Sequence, residues 1–160
     1  MTERLELEPL RLDHAPELAA LLDDPELYRF TGGRPETLSE VTARLRRQVP
    51  GASPDGRQGW LNWVLRLRTA ERAAVGTVQA TLVGPEAELA WVVGTAHQGE
   101  GYAGEAAIAV RDWLRAQGIE TLIAHIHPAH AASAGVARRL GLIPTSARQN
   151  GEVRWASSPK

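Results

Sequence analysis

Three strand-like segments in the middle of the chain constrain its fold more than any other feature. They are 60–68 (WLNWVLRLR), 74–83 (AVGTVQATLV) and 88–93 (ELAWVV). The linkers between them, TAERA and GPEA, have the length of hairpin connections. The three segments therefore predict consecutive antiparallel strands.

Two helices are predicted between an N-terminal strand and these segments. The segment LELEPLRL alternates apolar and charged residues, which is typical of a strand, and Asp13 is placed to cap the helix that follows. Thr37 and Glu40 have the capping-box spacing for the second helix. The predicted apolar face of this second helix consists of Leu38, Val41, Leu45 and Val49.

The second half of the chain alternates helices and strands. Segment 102–118 predicts a helix, 119–127 a strand and 129–141 another helix, and Asn150-Gly151 predicts the turn of a final hairpin. The predicted buried stripe of the first of these helices consists of Ala106, Val110, Trp113 and Leu114. The resulting order, β-α-α-β-β-β-α-β-α-β-β, predicts a mixed α/β (α+β) fold.

The composition narrows the class of partner. The 160 residues are enough for one domain with a single core, and we assign 1–160 to it. The 18 Lys and Arg against 19 Asp and Glu leave a net charge of -1, which argues against nucleic acid, because phosphate-backbone binding needs a surplus of positive charge. The N-terminus is too charged for a signal peptide, and no apolar run has the length of a membrane span. We therefore expect a cytoplasmic protein that binds neither nucleic acid nor membranes.

The segment HQGEGYAGEAA (97–107) fits two cofactor-binding patterns at once. From Gly99 it is G-x-G-x-x-G, the dinucleotide pattern, and from Gln98 it is Q-x-x-G-x-A, the pyrophosphate loop of acetyl-CoA-dependent N-acetyltransferases. Both patterns rest on the same physics, because a glycine-rich turn brings backbone N–H groups and the positive end of a helix dipole close to phosphate oxygens. The glycines alone also fit a purely structural turn between a strand and a helix.

The surroundings of this loop argue against a dinucleotide and against a nucleoside triphosphate. A dinucleotide site needs a parallel βαβ unit and an acidic residue about 20 positions further on. The strands before the loop are predicted to be antiparallel, and the strand after it ends with His125 and His127 where Asp or Glu is required. No G-K-[ST] follows the glycines, so a P-loop is excluded as well.

The remaining motifs resemble those of the Gcn5-related N-acetyltransferase (GNAT) superfamily. AELAWVVGTAHQGEGYAGEAA is similar to the family's fourth strand, pyrophosphate loop and helix. HPAHAASAGVARRLGLIPT is similar to its N-x-x-S-x-x-x-x-x-x-x-G pattern on the next helix. The most similar branch is that of the ribosomal-protein N-terminal acetyltransferases (RimJ/RimL-like). The resemblance implies the GNAT fold, with a splay between strands 4 and 5 that admits the cofactor.

The resemblance also implies a binding site for acetyl-CoA. The loop would hold the pyrophosphate by backbone N–H groups, and the fourth strand would pair with the pantetheine arm, with an N–H near Val92 or Val93 as a modest oxyanion hole. The implied strand residues are Trp91, Val92 and Val93. The implied residues of the loop and the second motif are Gln98, Gly99, Glu100, Gly101, Tyr102, Ala103, Gly104, His130 and Ser133.

Two side chains are candidates for proton transfer. An amine nucleophile is mostly protonated at neutral pH, so a base must remove a proton. The resemblance implies Glu88 as general base, acting through water, and Ser133 as the acid near the thioester sulfur. An ordinary exposed strand carboxylate is the alternative for Glu88, and a simple hydrogen bond to pantetheine is the alternative for Ser133. His130 stands where the family has asparagine and Ala137 where many relatives have a tyrosine acid, which increases the weight on Ser133.

Aromatic and histidine side chains give further candidates. Trp91, beside the implied splay, and Phe30, between the first two helices, are candidate acceptor contacts, with packing as the alternative for both. His125, His127 and His130 could bind zinc. No carboxylate accompanies them in that segment and the family needs no metal, so we expect no metal site.

The predicted function is transfer of an acetyl group from acetyl-CoA to a primary amine, on a small molecule or a protein N-terminus. Because the chain has no cysteine for a covalent acetyl-enzyme, direct attack within a ternary complex is expected. A non-catalytic acyl-CoA sensor with the same fold is the alternative, favoured by the departures at His130 and Ala137. Either a monomer or a homodimer fits the fold.

Overall fold

Seven strands form one sheet in this computed structural model, which describes residues 1–157. The strands are β1 (Leu5–Pro9), β2 (Gly59–Leu67), β3 (Ala74–Val83), β4 (Glu86–Val93), β5 (Thr121–Ile126), β6 (Leu142–Gln149) and β7 (Glu152–Ser157). The α-helices are α1 (Ala15–Leu21), α2 (Leu38–Gln48), α3 (Tyr102–Ala116) and α4 (Ala131–Arg139). The strand order across the sheet is β1-β2-β3-β4-β5-β7-β6. The predicted fold class and element order are confirmed.

The pair β4–β5 is parallel and short, whereas the neighbouring pairs are antiparallel. The two strands pair at Glu86–Thr121, Ala87–Leu122 and Glu88–Ile123 and then separate. The segment 89–93 of β4 therefore continues without a ladder partner on its β5 side, within the part of the chain described. This divergence is the predicted splay between strands 4 and 5.

The sheet has a helix layer on each face. Because successive side chains of a strand point to opposite faces, Val64 packs with Leu18 and Leu45 under α1 and α2, while Leu65 packs with Leu114 under α3 and α4. We call these the α1/α2 face and the α3/α4 face. Strand register places Thr77, Gln79, Thr81, Glu88 and Ala90 on the α1/α2 face together with Val64.

Two local motifs form as the sequence predicts. Thr37 Oγ1 accepts a hydrogen bond from Glu40 N at 3.2 Å, and Glu40 Oε1 accepts one from Thr37 N at 3.0 Å, which completes the capping box of α2. Asn150 and Gly151 have φ angles of 52° and 81°. Positive φ at both central residues is what a type I′ turn requires, so this turn joins β6 to β7.

Four local predictions are wrong. Asp13 does not cap α1, because a 3-10 turn, Leu12–His14, precedes the helix and the His14 side chain accepts from Arg11 N instead. Trp113 is predicted to be buried but is 47% exposed. Its ring contacts Trp63 edge-on, at 6.0 Å between centroids, and the rest of the ring lies in solvent. Two residues of the predicted apolar face of the second helix are also exposed: Leu38, the first residue of α2, and Val49, which directly follows it.

Within residues 1–157, no helix combines the length and the apolar character that crossing a bilayer requires. The cytoplasmic location stays a prediction.

Candidate active site

The gap between β4 and β5 exposes strand backbone to a ligand. Gly94 N donates to Val75 O of β3 at 2.8 Å, and the Val92 carbonyl is so near Gly76 that a Cβ there would lie 2.2 Å from its oxygen. Because backbone groups alternate sides along a strand, those of Trp91 and Val93 face the gap. Of the two N–H groups considered for an oxyanion hole, that of Val93 faces it.

The loop that follows β4 leaves the start of α3 without a side-chain cap. Gly99 and Gly101 both have a φ of 83°, a conformation that glycine adopts at no steric cost. Gly101 is the N-cap residue, and no side chain caps the helix there. The first-turn N–H groups therefore remain for an anion. Gln98 Nε2 donates to Val93 O at 3.0 Å and ties the loop to the end of β4.

Two arginines lie beside the start of α3. A Cβ at Gly104 would be 2.1 Å from Arg139 Nη1, so the guanidinium occupies the space that the missing side chain leaves. The Arg4 guanidinium stacks over the Tyr102 ring at 4.6 Å from its centroid. Arg4, Gly101 and Arg139 line a cavity of about 520 Å³. Its wall also includes three carboxylates, those of Glu100, Glu105 and Asp112. Positive groups around a helix N-terminus suit a phosphate ligand.

Glu105 anchors the N-terminal segment to α3. Its carboxylate accepts from Arg4 N at 3.0 Å, Arg4 Nε at 2.8 Å and Thr2 Oγ1 at 2.5 Å. Burial raises the pKa of Glu105, but these hydrogen bonds outweigh it and hold the pKa below its usual value. The Glu105 carboxylate is therefore occupied by the N-terminal segment. Of the two arginines at this end of α3, Arg139 has no carboxylate partner in residues 1–157.

Glu88 forms a pair with His125 at the vertex of the gap. Glu88 lies on the last rung between β4 and β5, and its Oε1 makes a short hydrogen bond with His125 Nδ1 on the α1/α2 face. The Glu88 side chain is 43% exposed and that of His125 is 11% exposed. Within the described chain, Glu88 Oε2 and His125 Nε2 have no partner. The pair therefore presents Glu88 Oε2 as a free acceptor, while the hydrogen bond from His125 to Oε1 holds the carboxylate in place.

Ser133 lies on the α3/α4 face, in the first turn of α4. Its Oγ accepts from Trp91 Nε1 at 3.2 Å, and its N donates to His130 Nδ1 at 3.2 Å. Burial lowers the pKa of His130, which favours the neutral ring. Since Nδ1 accepts, the ring proton belongs on Nε2, which lies 3.3 Å from Ser133 Oγ and donates to it. Ser133 Oγ then accepts two hydrogen bonds and retains its own proton for a third partner.

His130 also takes the place of a capping asparagine. It is the N-cap residue of α4, and its Nδ1 does what an asparagine side-chain oxygen does at such a position. The departure from the N-x-x-S pattern therefore keeps the helix cap.

The remaining candidates divide between the two faces. Trp91 shares the α3/α4 face with Leu89 and Val93, away from Glu88, and packs against the core there. The Phe30 ring contacts those of His127 and His130, at 5.2 Å and 4.5 Å between centroids. Acceptor binding by Trp91 and Phe30 stays a prediction, and the geometry favours Phe30 because Trp91 points away from the carboxylate.

The three histidines considered for zinc have separate roles. His125 bonds Glu88, His127 Nδ1 accepts from Ala129 N at 3.0 Å, and His130 caps α4. In residues 1–157 no three His, Cys, Asp or Glu side chains are grouped as metal ligands.

The family follows from comparison with known proteins. Residues 4–143 match the model of the acetyltransferase (GNAT) domain. The chain belongs to the GNAT acetyltransferase family. Enzymes of this family typically use acetyl-CoA. No curated protein sequence matches the chain significantly.

Solved GNAT structures share the whole fold. An acetyltransferase from Agrobacterium tumefaciens is 27% identical, with a TM-score of 0.77 over 99% of this chain and 93% of that one. RimL, a ribosomal L7/L12 α-N-protein acetyltransferase solved with coenzyme A, is 17% identical, with a TM-score of 0.79 over 97% and 94%. A spermidine N-acetyltransferase chimera of Vibrio cholerae and human sequences is 15% identical, with a TM-score of 0.74 over 96% and 94%.

Three residues of this GNAT site are not apparent from its motifs. His125 is 37 positions from Glu88, and only the register of two parallel strands brings them together. Arg139 reaches Gly104 from the far end of α4, and Arg4 reaches Tyr102 from the N-terminus. For Arg139 the sequence offers one signal of a phosphate contact, the pair of adjacent arginines, Arg138 and Arg139, near the glycine that ends the second motif.

Proposed function

We propose that this acetyltransferase moves an acetyl group from acetyl-CoA to a primary amine by direct attack within a ternary complex, with Glu88 as general base. The observation that carries the proposal is the carboxylate of Glu88, held by His125 at the vertex of the gap and open at its second oxygen. Both a protein N-terminus and a small-molecule amine fit, since RimL acts on the α-amino group of a ribosomal protein and another neighbour on spermidine.

The residues around the gap fit acetyl-CoA. The uncapped N–H groups at the start of α3 and the guanidinium of Arg139 suit its phosphates, and the gap-facing backbone of Trp91 suits an amide of its pantetheine arm. When bound, acetyl-CoA supplies an acetyl group activated as a thioester. The Val93 N–H is the donor for a developing oxyanion.

Glu88 receives the proton of the amine. A lysine-type amine has a pKa of about 10.4, so most of it carries a proton near pH 7. The open Oε2 of Glu88 accepts this proton, directly or through a water. His125 is a positioning residue, because it holds Oε1 and is itself largely buried.

Ser133 is the proposed donor on the opposite face. Its Oγ accepts from Trp91 and His130, so its O–H proton is directed to a third partner in the gap. We assign this O–H as a hydrogen-bond donor to the sulfur, which departs as the thiolate while Ser133 keeps its proton. The absence of cysteine from the sequence excludes a cysteine acetyl-enzyme and leaves direct attack.

The test compares Glu88→Gln with Glu86→Gln. Glu86 lies two residues earlier on the same strand and face and pairs only loosely with Arg154, at 3.7 Å. Release of free thiol from acetyl-CoA is followed across a panel of amines. We expect Glu88→Gln to lower kcat by about 10²-fold or more, as for loss of a general base, and Glu86→Gln to change it less than about twofold.

Binding of acetyl-CoA, measured by calorimetry, is the control for folding and should be equal in all three proteins. Tight acetyl-CoA binding by the wild type with no turnover on any amine would contradict the proposed function. An equal fall in kcat in Glu88→Gln and Glu86→Gln would contradict the role of Glu88 as general base.

A further inference from the structure

A second cavity lies beside the candidate base on the α1/α2 face. It has a volume of about 250 Å³ and lies between α2 and the strands β2 and β3. Thr81 lines it and is paired with Glu88 in strand register. The cavity therefore begins one strand away from the open carboxylate.

Polar side chains of the cavity wall are left unused by the fold. Asn62 and Gln79 are directly paired across β2 and β3, and Thr81 follows Gln79 on the same face. In residues 1–157 none of these three side chains has a hydrogen-bond partner, and none of their polar atoms is sealed from solvent. They can therefore bind a ligand without breaking an existing contact.

The helix side of the cavity is positively charged. Arg44 pairs with Glu36 at 2.9 Å and contacts Gln48 at 3.3 Å, whereas Arg47 has no carboxylate partner among the described residues. No Asp or Glu lines the cavity. Guanidinium groups form strong, charge-assisted hydrogen bonds with carboxylate and phosphate. The cavity thus favours an anionic group and disfavours a second ammonium group.

We propose that this cavity binds an anionic group of the acceptor, so that the substrate is a primary amine carrying a carboxylate or phosphate at its far end. The inference rests on the proposed function, which places the amine at Glu88. From β4 to β2 is two strand spacings, about 10 Å. Peptides with an acidic residue at the third position and aminated sugar phosphates separate the amine from the anionic group by several bonds, so both are candidate substrates.

A matched series of amines tests the proposal. The probes are 6-aminohexanoate, hexylamine and 1,6-diaminohexane, which present an anionic, neutral and cationic end at similar length. We expect kcat/KM to fall in that order, with about tenfold between the first two, as for one charge-assisted contact. Arg47→Gln should lower the ratio of 6-aminohexanoate to hexylamine about tenfold. Arg46→Gln, an exposed neighbour outside the cavity, should leave the ratio unchanged.

Two further pairs of probes distinguish the sources of the anion. The peptide Ser-Gly-Asp is compared with Ser-Gly-Asn, and glucosamine 6-phosphate with glucosamine. A preference for the anionic member that depends on Arg47 identifies the source in whichever pair shows it.

The outcomes separate this inference from the proposed function. The inference is overturned if 1,6-diaminohexane is acetylated fastest. It is also overturned if Arg46→Gln and Arg47→Gln lower the ratio of kcat/KM for 6-aminohexanoate to hexylamine equally. Either result leaves the acetyl transfer intact. If no amine is acetylated, the proposed function fails, and calorimetric binding of N-acetyl-6-aminohexanoate decides the inference alone. Binding that Arg47→Gln weakens supports the cavity, and binding that is absent or unchanged overturns it.

Discussion

Two pairs of glutamate and histidine lie on the same face of the sheet within residues 1–157, and they differ in what surrounds them. Glu8 and His14 join β1 to the start of α1, with 2.5 Å between Oε1 and Nε2. Glu88 and His125 join β4 to β5. The side chains of Glu8 and His14 are 14% and 3% exposed, against 43% and 11% for the second pair.

The first pair has all its polar atoms engaged. Arg66 Nε donates to Glu8 Oε2 at 3.0 Å, Arg11 Nη1 lies 3.0 Å from Oε1, and Arg11 N donates to His14 Nδ1 at 2.9 Å. The hydrogen bond from His14, together with the one from Arg66, holds the pKa of Glu8 below its usual value against the effect of burial. Within residues 1–157 the second pair has one hydrogen bond, between its facing atoms, and keeps Glu88 Oε2 open. The same two residue types thus stabilise structure where every atom is satisfied, whereas the free oxygen of Glu88 is what the proposed proton transfer requires.

The largest expected effect separates the pairs by stability. Glu8→Ala leaves the buried His14 and one face of Arg66 without a partner, and should lower the free energy of unfolding by about 3 kcal/mol. Urea denaturation measures this. Glu6→Ala, on the same strand and face, removes an exposed pair with Arg72 and should cost less than about 1 kcal/mol. Similar losses in the two variants would mean that the Glu8 network is an ordinary surface pair.

The next effect separates them by activity. His125→Ala frees the Glu88 carboxylate to rotate and should lower kcat about tenfold, because positioning of the base is lost, with the KM for acetyl-CoA within about twofold. His125→Asn, whose amide also donates to a carboxylate, should restore part of the rate. His14→Asn should lower stability and leave kcat of the folded protein unchanged. A rise in the KM for acetyl-CoA with unchanged kcat would show that His125 acts on the cofactor instead.

The smallest effect is the dependence of stability on pH. The folded-state pKa of Glu8 lies below its ordinary value of 4.5, so its contribution is fully present above about pH 4.5 and is lost as the pH falls through the folded-state pKa. The wild type should therefore lose stability on acidification more steeply than Glu8→Gln. Contributions from other acidic groups cancel in the difference. Parallel curves for the two proteins, from urea denaturation between pH 3 and 7, would remove this role from Glu8.

Features set by neighbouring residues were predictable from the sequence. The capping box at Thr37 and Glu40 and the turn at Asn150-Gly151 depend on spacing of three residues or fewer, and both formed as expected. The sequence did not predict that Asp13 fails to cap α1. The turn before this helix is fixed by the buried His14, which is bonded to Arg11 N and to Glu8. Trp113 has the right helical spacing for burial, yet the width of the stripe under α3 leaves it at the rim.

The site was predictable where a motif marks backbone and not where side chains meet across the fold. The loop from Gln98 to Gly104 and the splay followed from the resemblance to the GNAT family. Glu88 and Ser133 were identified as candidates by the same route, but their partners were not. His125 and Trp91 reach them through strand register and helix docking, which spacing along one sequence does not encode.

Three paired positions between β4 and β5 join the two parts of the sheet, which we call plates. β1 to β4 form one plate, and β5, β7 and β6 form the other. Glu88 lies at the last of these paired positions and is therefore tied to both plates, whereas residues 89–93 are tied through their ladder to the β1–β4 plate alone.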